Sequence, residues 1–246
     1  MLSLLDKFSY LVIGPSSQAR SNRQRLMRRL MRPAWLGTLR RTKPLSDHWG
    51  YDRGTPVDRY YIECFLEAHR SDIHGHVLEI KDSTYTDRFG RNVARQDVLD
   101  IDPGNPHVTL VADLAAADSI PADTFDCFIL TQTLQFVSDL SAAITHIHRM
   151  LRPGGVLLCT VPGISRVERA YSATDYWRFT PAACSLLFND VFGAEQVTIC
   201  AYGNVLTAMA FLTGMAAEEL SRRELATRAE YFPVTIATRA KKREVR

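Results

Sequence analysis

A chain of 246 residues can bury one sizeable core, and 46% hydrophobic with 23% charged residues is the makeup of an ordinary soluble globular protein. The formal net charge of +3 conceals an asymmetry: residues 1–46 carry +9, residues 239–246 carry +4 and residues 47–238 carry −10. No run of about 18 apolar residues is present to span a membrane. The start, Met1 to Ile13, lacks the basic segment and cleavage site of a signal peptide. Five cysteines without paired spacing, each among apolar neighbours, read as free thiols in a reducing cytoplasm. Seven histidines in no ligand pattern argue for no metal site.

The chain divides into a basic helical extension (1–46), a central domain (47–238) and a basic tail (239–246). In the extension, arginines from Arg20 to Arg32 surround Leu26, Met27, Leu30 and Met31, which predicts a basic amphipathic helix ended by Pro33. Such a helix either lies on its own domain, or docks on an anionic membrane surface, a partner protein or a sister copy. Nucleic acid is disfavoured, because no aromatic residues interleave with the charge. Gly50, Gly54 and Pro56 place Trp49–Thr55 in a loop, and Pro56–His69 follows as a helix. Val77–Ile80, Val98–Asp102 and Val108–Ala112 read as three successive strands.

The next stretch is the most informative. Phe125–Leu130 and Val156–Val161 are short runs apolar on both alternating faces, as in strands covered on two sides. Between them Leu140, Ala143, Ile144, Ile147 and Leu151 recur at helical spacing over Ser138–Leu151, with Ser138 able to cap the start and Pro153-Gly154-Gly155 to stop it. This is a strand–helix–strand crossover in a parallel sheet. Thr180 and Pro181 open a further helix, and Val197–Tyr202 and Phe232–Ala237 read as the last strands. Between those strands lie an all-round apolar helical insert, Val205–Ala217, buried or in a subunit contact, and an Arg/Glu-rich helix.

Phe125-Asp126 at a strand start, the run Arg149-Met150-Leu151-Arg152-Pro153-Gly154-Gly155, and Val161-Pro162-Gly163 after the next strand resemble class I S-adenosylmethionine-dependent methyltransferases, nearest to the branch that modifies small molecules and glycans. The resemblance covers about Val77 to Ala237. It implies a doubly wound, seven-stranded, mostly parallel sheet of order 3-2-1-4-5-7-6 with S-adenosyl-L-methionine as cofactor. Under it, Glu79 ends the first strand at the cofactor. The turn after it holds Lys81, Asp82 and Thr84 where relatives have glycines, so the Lys81 ammonium would reach the methionine carboxylate. Asp102, 23 residues beyond Glu79, has the spacing of an acid that accepts both ribose hydroxyls. By resemblance Asp113 faces the adenine amino group, Leu114 its ring, and Thr131 and Gln132 the same edge. Tyr51, Asp52 and Arg53 are either lid residues or a surface turn held by an Asp–Arg pair. Asp175-Tyr176-Trp177-Arg178-Phe179-Thr180-Pro181 is similar to a run that walls the acceptor side in glycan-associated relatives, which makes Asp175, Tyr176 and Arg178 substrate-side residues.

The resemblance alone implies methyl transfer to an oxygen of a sugar or other small acceptor. The Asn/Asp-Pro-Pro-aromatic signature of amino-group methylation is replaced by Thr131-Gln-Thr-Leu. O-methylation calls for a base, for which Asp175 and His48 are the candidates. The competing reading is a non-catalytic binding module of the same shape. A third reading, a nicotinamide dehydrogenase, is poorly supported, because no Gly-x-Gly-x-x-Gly follows the first strand.

Overall fold

The computed structural model describes residues 23–24, 27–31, 37 and 40–244. It falls into two compact units, Met1–Lys43 and Pro44–Arg246. In the first, residues 23–24 and 27–31 are helical and Met27, Leu30 and Met31 are exposed, whereas residues 20–22, 25–26 and 32–33 of the expected segment, Leu26 and Pro33 included, lie outside the described residues. No helix among the described residues is long and apolar enough to cross a membrane.

The second unit is a seven-stranded sheet of order β3-β2-β1-β4-β5-β7-β6. The strands are β1 (Gly75–Ile80), β2 (Val93–Asp100), β3 (Leu110–Val111), β4 (Phe125–Thr131), β5 (Leu151–Pro162), β6 (Val197–Tyr202) and β7 (Thr235–Lys241). The first five run parallel, and β7 inserts antiparallel between β5 and β6. The helices are α1 (Val57–Ala68), α2 (Thr84–Phe89), α3 (Leu140–Met150), α4 (Pro181–Phe192), α5 (Val205–Thr213) and α6 (Arg222–Ala226).

Two-sided burial explains the continuous apolar strands. Successive side chains leave a strand on opposite faces. Leu78, Phe128, Leu130, Leu157 and Cys159 enter a core shared with α3 and α4. Val77, Cys127, Ile129, Val156 and Leu158 enter another, shared with α1, α5 and α6. On α3, Ala143, Ile144, Ile147 and Met150 are wholly buried, each large side chain contributing roughly 1.5–3 kcal/mol.

Several boundaries shift. Asp139, not Ser138, caps α3, its carboxylate accepting from the Ala142 amide at 2.9 Å. β5 begins at Leu151, which pairs with Phe125, so Arg152–Gly155 belong to the strand rather than to a helix stop. β2 ends at Asp100 and β3 is two residues long. β7 starts at Thr235 and continues through Lys241, so Arg239–Lys241, expected in the basic tail, lie in the sheet. There Arg239 holds Asp72 through two hydrogen bonds of 2.8 and 2.9 Å.

The amino edge is fastened by a buried pair across β1 and β2. His76 Nε2 lies 2.7 Å from Asp97 Oδ2, and Thr109 Oγ1 donates to Asp97 Oδ1 at 2.9 Å. Burial alone would raise the Asp97 carboxyl, but hydrogen bonds from His76, Thr109 and Arg95 outweigh it and hold the group below the ordinary carboxylate range. A lowered folded-state pKa stabilises the fold above the unfolded value of about 3.9, and that contribution is lost as pH falls through the folded value. Asp97→Ala should therefore cost about 3 kcal/mol at pH 7 in chemical denaturation, with a smaller difference from wild type below about pH 4. An equal difference at both pH values would contradict this.

Candidate functional site

The sheet order reverses between β1 and β4, and the crevice outside the carboxyl ends of those two strands is where a doubly wound fold binds ligands. The β1 tip is densely tied. After Ile80 the chain turns at Lys81 with φ +71°, a left-handed conformation that normally selects glycine. The backbone turn is thus kept without the glycine. Asn105 Nδ2 donates to the Lys81 carbonyl and to Asp100 Oδ2, both at 2.6 Å, and links this turn to the tip of β2.

Glu79 differs from its expected role. Its buried carboxylate accepts the amides of Tyr85 (2.9 Å) and Thr86 (2.7 Å), while Asp82 Oδ1 accepts that of Thr84 (2.9 Å). Glu79 and Asp82 are therefore caps of α2, and the leading amides of that helix are used within the protein. Burial pushes the Glu79 carboxyl up to about 7, against the hydrogen bonds from Thr86 and Tyr85. Lys81 and Thr84 are exposed at the turn.

At β2 the strand-end acid is Asp100. Asp102 lies two residues beyond, exposed, its Oδ1 accepting the Gly104 amide at 2.8 Å. Between the two acids Ile101 is 67% exposed, a large apolar side chain in the open at a strand tip. At β3, Asp113 is exposed and accepts the Ala115 amide at 2.9 Å, whereas Leu114 is buried in the core and does not face the crevice. At β4, Thr131 is buried, and Gln132 takes φ +47° with its Nε2 shut off from solvent and without a hydrogen-bond partner. Gln135 Oε1 is likewise buried and unpartnered.

Two further loops carry the remaining expected site residues. In the loop before α1, Trp49 stacks on Phe211 of α5 at 5.3 Å and its Nε1 donates to Glu168 at 2.7 Å, while the Arg166 guanidinium lies 4.1 Å above the ring. Gly50, at φ +96°, passes so close to the Met215 carbonyl that a Cβ would meet it at 2.9 Å. Asp52 and Arg53 do not pair with each other: Asp52 accepts from Ser46 Oγ, and Arg53 binds Glu219. Tyr51 is exposed. These contacts frame an open cleft of about 420 Å³ between the loops, lined by Asp47, His48, Trp49, Arg166, Glu168 and Arg169.

In the second loop Asp175 is not available as a base. Its carboxylate accepts from Arg178 at 2.6 and 2.8 Å and from the Glu168 amide at 2.8 Å, and its side chain is 1% exposed. The hydrogen bonds from Arg178 hold it below the usual carboxylate range. Arg178 also donates to the carbonyls of Arg166 (2.5 Å) and Trp177 (2.7 Å). Both residues brace the loop rather than face a substrate. Tyr176 remains exposed, its amide bound to the Gln135 carbonyl.

Strand order and strand tips together define a doubly wound fold of the kind that grips a nucleoside cofactor. Residues 68–159 match a family described as a methyltransferase domain. A ubiquinone/menaquinone biosynthesis C-methyltransferase of Marinomonas sp. is 34% identical over 118 residues, covering 46% of this chain and 43% of the relative. The chain thus spans less than half the length of that curated relative. Among solved structures, an S-adenosylmethionine-dependent methyltransferase of Archaeoglobus fulgidus superposes with TM-score 0.51 at 13% identity, over 75% of this chain and 94% of that one. The 1,6-didemethyltoxoflavin-N1-methyltransferase of Burkholderia thailandensis, solved with bound 1,6-didemethyltoxoflavin and S-adenosylhomocysteine, gives 0.50 at 16% identity, over 80% of this chain and 82% of that one. The chain is thus similar to S-adenosylmethionine-dependent methyltransferases, in sequence over residues 68–159 and in fold over the whole sheet.

Two substitutions test the local geometry. Lys81→Gly should raise stability by about 1 kcal/mol, because glycine adopts the left-handed turn without the Cβ clash. Arg178→Ala should lower it by about 3 kcal/mol, because Asp175 would stay buried and unpaired. Denaturation midpoints at unchanged slope measure both, and a destabilised Lys81→Gly or a neutral Arg178→Ala would refute the respective assignment.

Proposed function

We propose that this chain transfers the methyl group of S-adenosylmethionine to an oxygen of a small, sugar-like acceptor. The observation that carries the cofactor half is the chemistry gathered at the β1–β4 switch point. Asp100 is a strand-end acid suited to ribose hydroxyls, Ile101 an open apolar surface suited to the adenine ring, and Gln132 offers a buried amide with no protein partner. Asp113 stands at the next tip as acceptor for the adenine amino group, and Asp102 borders the ribose acid. When bound, the cofactor supplies an electrophilic methyl group, and the protein's task is to align the acceptor and exclude water.

On the acceptor side, a cleft of about 420 Å³ is of the size that takes a small molecule. His48 lines it and is the base for an acceptor hydroxyl, since Asp175 is committed to Arg178. Tyr51 and Tyr176, both exposed, are the rim residues for the acceptor. A second reading, transfer to carbon, is favoured by the relatives named C-methyltransferases. The competing reading is a non-catalytic binding or regulatory module that has lost or altered cofactor binding.

Calorimetry with S-adenosylhomocysteine tests the first half: wild type should bind, and Asp100→Ala should lose about 1–3 kcal/mol of affinity with the loss of charged hydrogen bonds. Unchanged affinity in Asp100→Ala would move the ribose elsewhere. With ¹³C-methyl-labelled cofactor and a panel of sugars and phenols, an O-methyl resonance in the product supports the oxygen reading and a C-methyl resonance the other. His48→Ala should lower turnover roughly 10²-fold or more if His48 is the base.

A further inference from the structure

We propose that Asp58 and Arg59 form a side-chain clamp for the α-amino acid end of the cofactor, in place of the backbone cradle that a glycine-rich first turn would provide. The inference rests on the methyltransferase reading above. α1 descends from Val57 to Ala68 and a short connection returns the chain to β1 at Gly75, so the first turn of α1 stands at the carboxyl edge of the sheet, beside the turn after β1.

Helical spacing gives α1 two relevant faces. Asp58, Ile62 and Leu66 form one stripe, in which Ile62 and Leu66 are wholly buried against the sheet. Asp58 heads that stripe, and its Oδ1 is closed to solvent with no hydrogen-bond partner. Arg59 and Glu63 form the other, facing α2: Arg59 Nη1 donates to the Tyr85 hydroxyl at 2.9 Å, and Glu63 pairs with Arg88. Arg59 is thus fixed beside the start of α2, and Asp58, on the adjoining face, is near enough that its charge and that of Arg59 act on each other and on Tyr85.

Each observation has the same physical reading. An unpartnered carboxylate oxygen at the head of an apolar stripe is costly unless a polar group is to meet it. Burial raises the Asp58 carboxyl, an effect the neighbouring Arg59 opposes. Meanwhile the amides of Thr84, Tyr85 and Thr86 are already taken by Asp82 and Glu79, so the helix start after β1 has none of these three to offer a carboxylate. A zwitterionic amino acid needs one anion for its ammonium and one bidentate cation for its carboxylate. Asp58 and Arg59 are that pair.

The test compares S-adenosylhomocysteine with 5′-methylthioadenosine, which keeps the adenosine and lacks the amino acid end, by calorimetry on the full chain. Wild type should prefer S-adenosylhomocysteine by tenfold or more. Asp58→Asn and Arg59→Gln should each lose most of that preference while binding 5′-methylthioadenosine as before. Asp58→Leu, which completes the apolar stripe, should in addition raise the melting temperature, an outcome that a purely structural aspartate would reverse. Variants that keep the wild-type preference overturn the clamp alone. A wild-type chain that binds neither nucleoside overturns the methyltransferase reading and the clamp together.

Discussion

The tip of β1 depends on one buried carboxylate. Glu79 holds two consecutive amides of α2 at 2.9 and 2.7 Å, and this fixes the direction in which the chain leaves the sheet. A buried carboxylate with two charge-assisted hydrogen bonds tolerates little displacement, so the turn between Ile80 and Thr84 has few conformations open to it. That constraint accounts for Lys81 in a left-handed conformation: strand and helix are anchored on either side, and the linking residue takes the φ the geometry imposes. It also accounts for the dispensable glycines. Glycine would ease the turn, but its shape is set by Glu79, Asp82 and the Asn105 bridge to β2.

The same economy governs the loops around Trp49 and Asp175. Two loops that could fray are held by contacts of different kinds: a Trp49–Phe211 stack, an Arg166 guanidinium over the indole, and the Asp175–Arg178 pair beneath. The aromatic contacts tie the first loop to α5, and Glu168 joins the two loops by accepting from Trp49 while donating its own amide to Asp175. The cleft is therefore walled by residues that are already braced, which favours a preformed site.

How much of this was legible in the sequence follows from which physical signal was strong. The β4–α3–β5 crossover was readable because burial on both faces leaves an unbroken apolar run, and a helix between two such runs has little alternative. Strand tips were less readable. At β2, apolar Ile101 extended the expected strand by two residues to Asp102, whereas the strand ends at Asp100 and Ile101 is open to solvent. Leu114 was drawn to the adenine by its neighbour Asp113, although an apolar residue two positions into a capped turn belongs as readily to the core. Asp175 and Arg178 looked like chemistry because charges in an aromatic run do so often. Their spacing of three also suits a local pair, and only the enclosing carbonyls of Arg166 and Trp177 show that they form one.

Charged and polar residues at the carboxyl edge thus divide by whether the protein itself satisfies them. Glu79, Asp82, Asp175 and Arg178 have their hydrogen bonds filled by backbone amides, backbone carbonyls or each other, and their removal would be felt first as lost stability. Asp58 and Gln132 have buried polar atoms that nothing in the protein meets. Desolvation without a partner is the less stable arrangement, and natural folds retain it where a ligand completes the set. A first turn without glycines therefore need not mean a lost cofactor site: with the α2 amides used internally, the groups left to hold a ligand are side chains on the neighbouring helix and strand tips.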